Sequence, residues 1–434
     1  MDYNQALEYI YGTAKFGSKL SLDSIKGLLG RLGNPQNDFK YIHVGGTNGK
    51  GSVTAMIAHI LKAGGYKTGM FISPSLENFT ERIQVDLEEM PREDLPGFTF
   101  EVKIRADEMV NAGLPHPTEF EIATAICLLY FSRRKVDIAV VEVGLGGRLD
   151  ATNVVEDPLL SVITSIGYDH VNILGTTLKE IAFEKAGIIK AGRPVVSYPQ
   201  LPEAARVIRR TSKEKDAALY EVSPEQISTI KSNLDGNIFD FRYKGAEYKN
   251  LELNLLGEYQ QLNAAVALTA IEVAKEQGLE VSDGAIRDGL YKTKWPGRLE
   301  VVSRDPITII DGAHNASGAE AFSRAIRGYF IDKKIVVLMG VLRDKDADSM
   351  VKSICPLSDQ VVITRPDNPR AMDVYVLAEK ASKYCDHITI EPDIEKAIDK
   401  GIEVAGFNGV MLVCGSLYLA GAARRYILGC RLPS

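Results

Sequence analysis

The chain has 434 residues, of which 45% are hydrophobic and 25% charged, with a formal net charge of −6. That length accommodates roughly two or three domains, and the composition is ordinary for a soluble globular protein. The mildly acidic balance and the lack of a basic run argue against a nucleic-acid partner. No apolar span reaches membrane length and MDYNQALEYIYG lacks a signal-peptide pattern, which argues against a membrane. Five scattered cysteines, Cys127, Cys355, Cys385, Cys414 and Cys430, show no CxxC spacing. They fit neither a disulfide framework nor a zinc site, and Cys127 and Cys414 lie in apolar runs as reduced core residues. The expected compartment is the cytoplasm.

Taken in chain order, the first apolar strand is Tyr41–Val44. It runs into Gly45-Gly46-Thr47-Asn48-Gly49-Lys50-Gly51-Ser52, and a helical pattern with Val53, Met56, Ile57, Ile60 and Leu61 follows. Strand, glycine-rich turn, lysine, hydroxyl and helix make a phosphate cradle. Glycines let the backbone approach the phosphates, and the helix start offers unpaired N–H groups and positive partial charge. Lys50 would meet the β- and γ-phosphates, and Ser52 would sit near a magnesium ion. Gly51, between Lys50 and Ser52, departs from the general P-loop pattern.

Further strands are expected at Lys67–Ile72, Val136–Val143 and Leu160–Ile166. Short strands alternating with helical patterns favour a doubly wound, mostly parallel α/β sheet. The charge-dense stretch 208–216 reads as a solvated helix end. Residues 237–255 alternate on either side of Lys244-Gly245, as a hairpin does, so a small antiparallel sheet is expected beside the main one. The pattern breaks near Trp295-Pro296-Gly297-Arg298. A second, Rossmann-like α/β series then begins with Ile307–Ile310, Ile335–Met339, Val361–Thr364, Ile388–Ile390 and Val410–Cys414. The expected division is a P-loop domain over 1–296 and a second domain over 297–434.

In open parallel sheets, ligands gather beyond the carboxyl ends of the strands. Ser73, Glu142 and His170 all fall at such ends. Glu142 interrupts an apolar strand, where a carboxylate is costly unless it is paired or binds metal. Oxygen ligands suit Mg²⁺, which takes few protein ligands and fills its shell with water and phosphate oxygens.

Other segments complete a pattern. They are Ser73-Pro74, Glu142 through Asn153, Asp169-His170, Glu184-Lys185-Ala186-Gly187, Gly257 through Asn263, Trp295 through Glu300, Asp311 through Asn315 and Gly415 through Ala420. Together with Thr-Asn-Gly-Lys-Gly-Ser, and in this order, they resemble the folylpolyglutamate synthase/dihydrofolate synthase family of the Mur ligase superfamily. The intervening Gly51 is that family's own form. The resemblance implies an enzyme, a carbon–nitrogen ligase. It would use ATP to add L-glutamate to the carboxylate of a folate or dihydropteroate through an acyl phosphate, as a monomer.

By the same resemblance, Asn48, Gly49, Lys50, Gly51 and Ser52 hold the ATP phosphates, and Asn263, Arg298 and Asp311 make the remaining ATP contacts. Ser73, Glu142 and His170 are implied ligands of Mg²⁺, with two ions expected. Thr118, Glu119, Phe120, Glu121, Leu149, Asp150 and Ala151 correspond to pterin-side contacts, and Arg82 to the arginine that places the substrate. Lys185 matches a lysine carried as an N-carboxylated residue. His314 and Ser416 lie in the motifs that face the incoming glutamate. Catalytic roles are expected for Lys50, Lys185 and His314.

Other readings are possible. Another Mur-type amino-acid ligase would carry a separate domain before the P-loop, but only ~40 residues precede it here. A nucleotide-gated binding module would keep Lys50 and Glu142 for ATP alone. A dinucleotide enzyme is suggested only by Gly144-Leu145-Gly146-Gly147, which lacks the G-x-G-x-x-G spacing.

Overall fold

A computed structural model describes residues 1–17 and 21–429; Cys430 lies outside the described residues. Eight strands form the first sheet: β1 (Lys40–Gly45), β2 (Thr68–Phe71), β3 (Ile83–Val85), β4 (Glu88–Glu89), β5 (Ile138–Glu142), β6 (Leu160–Ile163), β7 (Val195–Ser197) and β8 (Leu219–Glu221). Their order is β4-β3-β2-β5-β1-β6-β7-β8. β2, β5, β1, β6, β7 and β8 are mutually parallel, while β3 and β4 join antiparallel at the edge. The central strands are buried along almost their whole length, as a sheet covered by helices on both faces requires.

The register positions the functional groups. Val44 of β1 pairs with Glu142 of β5, and Gly45 pairs with Ile163 of β6. The turn after β1 therefore leaves the sheet level with Glu142 and with the end of β6. Helix Lys50–Ala63 follows that turn and is buried over most of its circumference. It lies so close to helix Asp283–Lys292 that a Cβ on Gly289 would fall 2.4 Å from the Cα of Ile60. Helix Glu119–Arg133 is buried continuously from Glu121 to Phe131, which explains its uninterrupted apolar run.

The expected hairpin is present and has a third strand. β9 (Ile227–Asn233), β10 (Gly236–Tyr243) and β11 (Ala246–Leu253) form an antiparallel sheet in the order β11-β10-β9. β9 escaped the sequence reading because most of it is exposed and polar, with no apolar alternation.

The third sheet contains β12 (Glu300–Arg304), β13 (Ile307–Ile310), β14 (Ile335–Met339), β15 (Gln360–Ile363), β16 (Ile388–Ile390) and β17 (Val410–Cys414). Its order is β12-β13-β17-β14-β15-β16, parallel except for β12. It is the Rossmann-like sheet expected from the second strand series.

The chain divides into two compact units. The first comprises Met1–Ser228, Asp240–Leu251 and Leu262–Thr293; the second comprises Thr229–Phe239, Glu252–Gln261 and Lys294–Ser434. Cys127, Cys355, Cys385 and Cys414 are free and buried. Among the described residues, no helix is long and apolar enough to cross a membrane.

Candidate active site

In the first unit, the turn after β1 is held by backbone geometry that only glycine adopts cheaply. Gly49 takes φ 86° immediately before helix Lys50–Ala63, and a Cβ there would lie 2.7 Å from Asn263 Oδ1. The open helix start and the absence of side-chain bulk leave room for an anion. Lys50 Nζ donates to the carbonyl of Thr47 at 3.1 Å and lies 3.8 Å from Glu142 Oε1. Ser52 is buried in the first turn of the helix.

Glu142 is only 5% exposed, so its charge is met by Lys50 and by the backbone N–H of Ser73, 3.4 Å from Oε2. The Ser73 hydroxyl is itself buried and has no hydrogen-bond partner. A buried hydroxyl without a partner beside a buried carboxylate is the donor set expected around a hard cation. His170 begins the short helix Val171–Leu174 in a left-handed conformation, φ 49°. Its side chain is 41% exposed, and Nε2 lies 3.9 Å from Asp169 Oδ1. Among the described residues no three His, Cys, Asp or Glu side chains gather as a metal cage. One hydroxyl, one carboxylate and one imidazole still fit Mg²⁺, which keeps most of its shell as water and phosphate oxygen.

Lys185 sits on helix Leu178–Ala186, 5% exposed, and its Nζ donates to the carbonyl of Gly46 at 2.6 Å. Burial and the nearby Lys50 ammonium push its pKa down to about 7, against the opposing pull of Asp169 and Asp150. An amine in that state is a nucleophile at neutral pH.

The residues matched to pterin contacts are brought to the same unit but are not equally free. Asp150 is buried, and its carboxylate accepts from the backbone N–H groups of Leu145 (2.7 Å) and Thr152 (3.0 Å) and from the Thr152 hydroxyl (2.5 Å). Burial raises its pKa, and these hydrogen bonds pull it back. Much of its bonding capacity is thus spent on its own loop, which also carries Leu149 and the buried Ala151.

Thr118 and Glu121 form a reciprocal cap at the start of helix Glu119–Arg133, leaving Glu121 Oε1 without a partner. Glu119 lies 3.7 Å from Arg82 Nη1, and burial raises its pKa against the pull of that guanidinium. Arg82 Nε is buried without a partner, and the guanidinium lies over the Phe79 ring. The Phe120 ring is 6.0 Å from that of Phe71 and covers Gly144 so closely that a Cβ there would meet it at 2.4 Å.

The second unit gathers the other four residues. β14 and β13 flank β17, and the chain departs from β14 towards β15 and β16, so the carboxyl ends of β13, β17 and β14 form a topological switch point. Asp311 follows β13. Buried, it accepts from the backbone N–H groups of Leu299 (2.9 Å) and Ala313 (2.7 Å), and burial raises its pKa against the pull of Arg298. Arg298 crosses Gly312, where a Cβ would lie 2.3 Å from its Nη1. His314 Nδ1 is 2.8 Å from the Gly312 carbonyl, and Ser416, just past β17, accepts from Leu419 N–H at 3.2 Å.

Sequence reasoning passed over two features. One is a groove of about 510 Å³ in the second unit, lined by Arg365, Asp367, Asn368, Asp393 and Glu395 among others. Its signal was the turn-forming Pro366-Asp367-Asn368-Pro369 directly after a strand. The other is Thr47, inside the glycine-rich motif but assigned no role from the sequence.

Comparison with known proteins agrees with this layout. The Mur ligase middle domain matches residues 44–271, and the Mur ligase, glutamate ligase domain matches 297–417. A dihydrofolate synthase/folylpolyglutamate synthase of Bacillus subtilis is 39% identical over 98% of both chains. A Mycobacterium tuberculosis folylpolyglutamate synthase solved with ADP superposes with a TM-score of 0.90 at 32% identity, covering 98% of this chain and 99% of that one. An Escherichia coli protein solved in complex with DHPP and ADP superposes with a TM-score of 0.87 at 30% identity, covering 98% of both. A phosphate cradle level with a buried carboxylate, a switch-point cluster in the second unit and full-length similarity of this degree place the chain in the folylpolyglutamate synthase/dihydrofolate synthase family of the Mur ligases.

Proposed function

We propose that this protein is an ATP-dependent, ADP-forming carbon–nitrogen ligase that joins L-glutamate to the carboxylate of a folate, and that it also converts dihydropteroate to dihydrofolate. The observation that carries the reading is the level placement of the glycine-rich turn, Lys50 and Glu142 at adjoining strand ends. The Bacillus subtilis relative is named for both activities, and the Escherichia coli neighbour holds DHPP and ADP together.

Carboxylate oxygen is a poor leaving group, so amide formation needs prior activation. Transfer of the γ-phosphoryl group of ATP to the substrate carboxylate gives an acyl phosphate and ADP. The amino group of glutamate attacks the acyl carbon, phosphate leaves, and the ammonium proton passes to solvent. No covalent enzyme nucleophile is needed, and positioning and electrostatics supply the catalysis.

In this reading Asn48–Ser52 cradle the phosphates and Lys50 neutralises charge on the group in transfer, while Asn263 makes a further nucleotide contact. Arg298 and Asp311 would make the remaining nucleotide contacts, and His314 and Ser416 would face glutamate. Ser73, Glu142 and His170 would hold Mg²⁺, which when bound supplies charge neutralisation for the phosphate oxygens. The pterin side would fall to Phe120 and the loop Leu149–Ala151, with Arg82, Thr118, Glu119 and Glu121 around it.

Lys185 would be carried as a carbamate. Its neutral Nζ adds to the carbon of CO₂, a new N–C bond forms, and the displaced N–H proton goes to water. A pKa of about 7 keeps the neutral amine available for that addition.

The test is an assay of purified protein with ATP, Mg²⁺ and L-glutamate, with either dihydropteroate or tetrahydrofolate as acceptor. Phosphate release that depends on both glutamate and acceptor is expected. ATP hydrolysis independent of either, or nucleotide binding without turnover, would replace the ligase with a binding module.

A further inference from the structure

Thr47, in the glycine-rich turn, spends its hydroxyl on another segment. Its Oγ1 donates to the carbonyl of Gly167 at 3.1 Å and accepts from the N–H of the same residue, also at 3.1 Å. A hydroxyl can do both at once, so a single side chain clamps both faces of one peptide position. The backbone reinforces the contact: the N–H groups of Thr47 and Asn48 both donate to the carbonyl of Ser165. Gln200 braces the same strand end from behind, accepting from Ile166 N–H at 3.0 Å and donating to the Thr164 carbonyl at 2.9 Å. Three residues beyond Gly167 stands His170, with Asp169 beside it.

We propose that Thr47 is a positioning residue that locks the phosphate loop to the turn carrying Asp169 and His170, so that nucleotide and divalent cation meet a single rigid body. The proposal rests on the Mg²⁺–ATP reading given above. Without the clamp the backbone bonds at Ser165 remain, but both side-chain bonds to Gly167 are lost, and the turn bearing His170 gains freedom relative to the loop that holds the phosphates. Thr47 touches neither substrate nor cation in this role. It acts through Gly167.

Thr47→Val keeps the shape and removes both side-chain hydrogen bonds; Thr47→Ser keeps them. Two readouts are needed. The first is hydrogen–deuterium exchange of the segment 165–174 in the nucleotide-free protein. The second is ATP affinity by calorimetry across a Mg²⁺ titration. In Thr47→Val the segment should exchange about tenfold faster, and the Mg²⁺ concentration that half-restores ATP affinity should rise about tenfold, with Mg²⁺-free affinity within about threefold. Thr47→Ser should match the parent protein in both.

Unchanged exchange in Thr47→Val overturns the clamp, and faster exchange with an unchanged Mg²⁺ requirement overturns the positioning role. Equal behaviour of the Val and Ser variants overturns both. If Thr47→Val does not fold, Gln200→Met releases Ile166 and Thr164 without touching the phosphate loop. It should shift exchange and Mg²⁺ requirement in the same direction, and no shift refutes the proposal. ATP binding that is independent of Mg²⁺ in the parent protein would instead refute the functional reading, a result visible before any variant is compared.

Discussion

Lys185 Nζ donates to the carbonyl of Gly46 at 2.6 Å, so a buried amine touches the phosphate loop itself. Burial and Lys50 hold its pKa near 7, whereas an unfolded chain keeps it at the ordinary value of 10.5. Between those two values the unfolded chain binds the extra proton, so stability rises with pH across that window. Below pH 7 the full penalty is present, on the order of several kcal/mol at 1.36 kcal/mol per unit. In CO₂-free buffer, the melting temperature of the parent protein should therefore climb from pH 7 towards 10 relative to Lys185→Met. The variant should also be the more stable protein at pH 7 and lose ligase activity. Parallel melting curves for the two proteins would refute the buried-amine account, and full activity of the variant would remove Lys185 from the chemistry.

Glu142 has Lys50 at 3.8 Å on one side and the Ser73 amide on the other. Glu142→Gln preserves the shape and removes the charge. A neutral amide is a weaker ligand for a hard cation, so the Mg²⁺ concentration for half-maximal activity should rise by about tenfold or more. The fold should survive, because the variant also deletes a buried charge. A Mg²⁺ titration of phosphate release checks this, and an unchanged midpoint would assign Glu142 to the Lys50 ion pair alone.

His43 lies in β1 with its ring fully buried, Nε2 2.8 Å from the Thr152 hydroxyl. That hydroxyl gives its proton to Asp150, so the hydrogen-bond network makes Nε2 the donor and leaves Nδ1 bare. Burial, with Lys190 adding to it, lowers the pKa from 6.5 to about 3. The folded-state value is depressed, so the stability it represents is complete above pH 6.5 and is lost as pH falls towards 3. The loss amounts to roughly 3–5 kcal/mol. His43→Gln keeps a donor for Thr152 and cannot titrate. Its melting temperature should fall less steeply between pH 6.5 and 4 than that of the parent. Asp150, with its raised pKa, works in the opposite sense but is common to both proteins. Identical acid limbs would refute the assignment.

Where a feature was legible in the sequence, a strong physical signal carried it. β14 and β17 fall on their expected residues because continuous apolar runs mark buried parallel strands, and β13 and the partly buried edge strand β16 also fall where expected. β7 and β8 were not foreseen, since a strand of three residues leaves no periodicity to read. Glu142 stood out as a lone carboxylate in an apolar strand, and the structure buries it as expected. The use of Asp150 was hidden, because its partners are mostly backbone amides that no side-chain pattern records. Thr118-x-x-Glu121 carried the spacing of a helix cap in plain view, yet family resemblance drew attention to it as a substrate contact. The groove beside Arg365 required two segments distant in sequence, 365–369 and 392–395, to be seen together.

Gly312 is the crossing point of Arg298. A Cβ there would lie 2.3 Å from Arg298 Nη1 and equally close to Leu417 Cδ2. The backbone of Gly312 is not in a glycine-only conformation, so the effect of Gly312→Ala is one of space alone. The flexible guanidinium yields more easily than the packed leucine. Gly312→Ala should lower stability by roughly 1–2 kcal/mol through overpacking. It should also raise the KM for ATP about tenfold if Arg298 serves the nucleotide. A thermal melt and an ATP titration separate the two effects, and an unchanged KM beside a lowered melting temperature would confine Arg298 to structure.

Gly144 and Phe120 make the same argument on the acceptor side. A Cβ on Gly144 would sit 2.4 Å from the Phe120 ring, and again no positive φ constrains the position. The alanine must push the ring away, and the neighbouring Phe71 ring, 6.0 Å off and tilted by 33°, limits where it can go. If Phe120 packs against the pterin side of the acceptor, Gly144→Ala raises the KM for the folate about tenfold and leaves that for ATP within about twofold, since a misplaced positioning group costs binding locally. Adding Phe120→Leu removes ring bulk, so the double variant should recover melting temperature without recovering folate KM. That non-additivity is the signature of two groups in contact. Equal rises in the KM for ATP and folate would show that the displaced ring disturbs the whole strand end around Glu142 instead. Additive losses of stability in the double variant would show that the ring and the glycine do not share the space the structure assigns them.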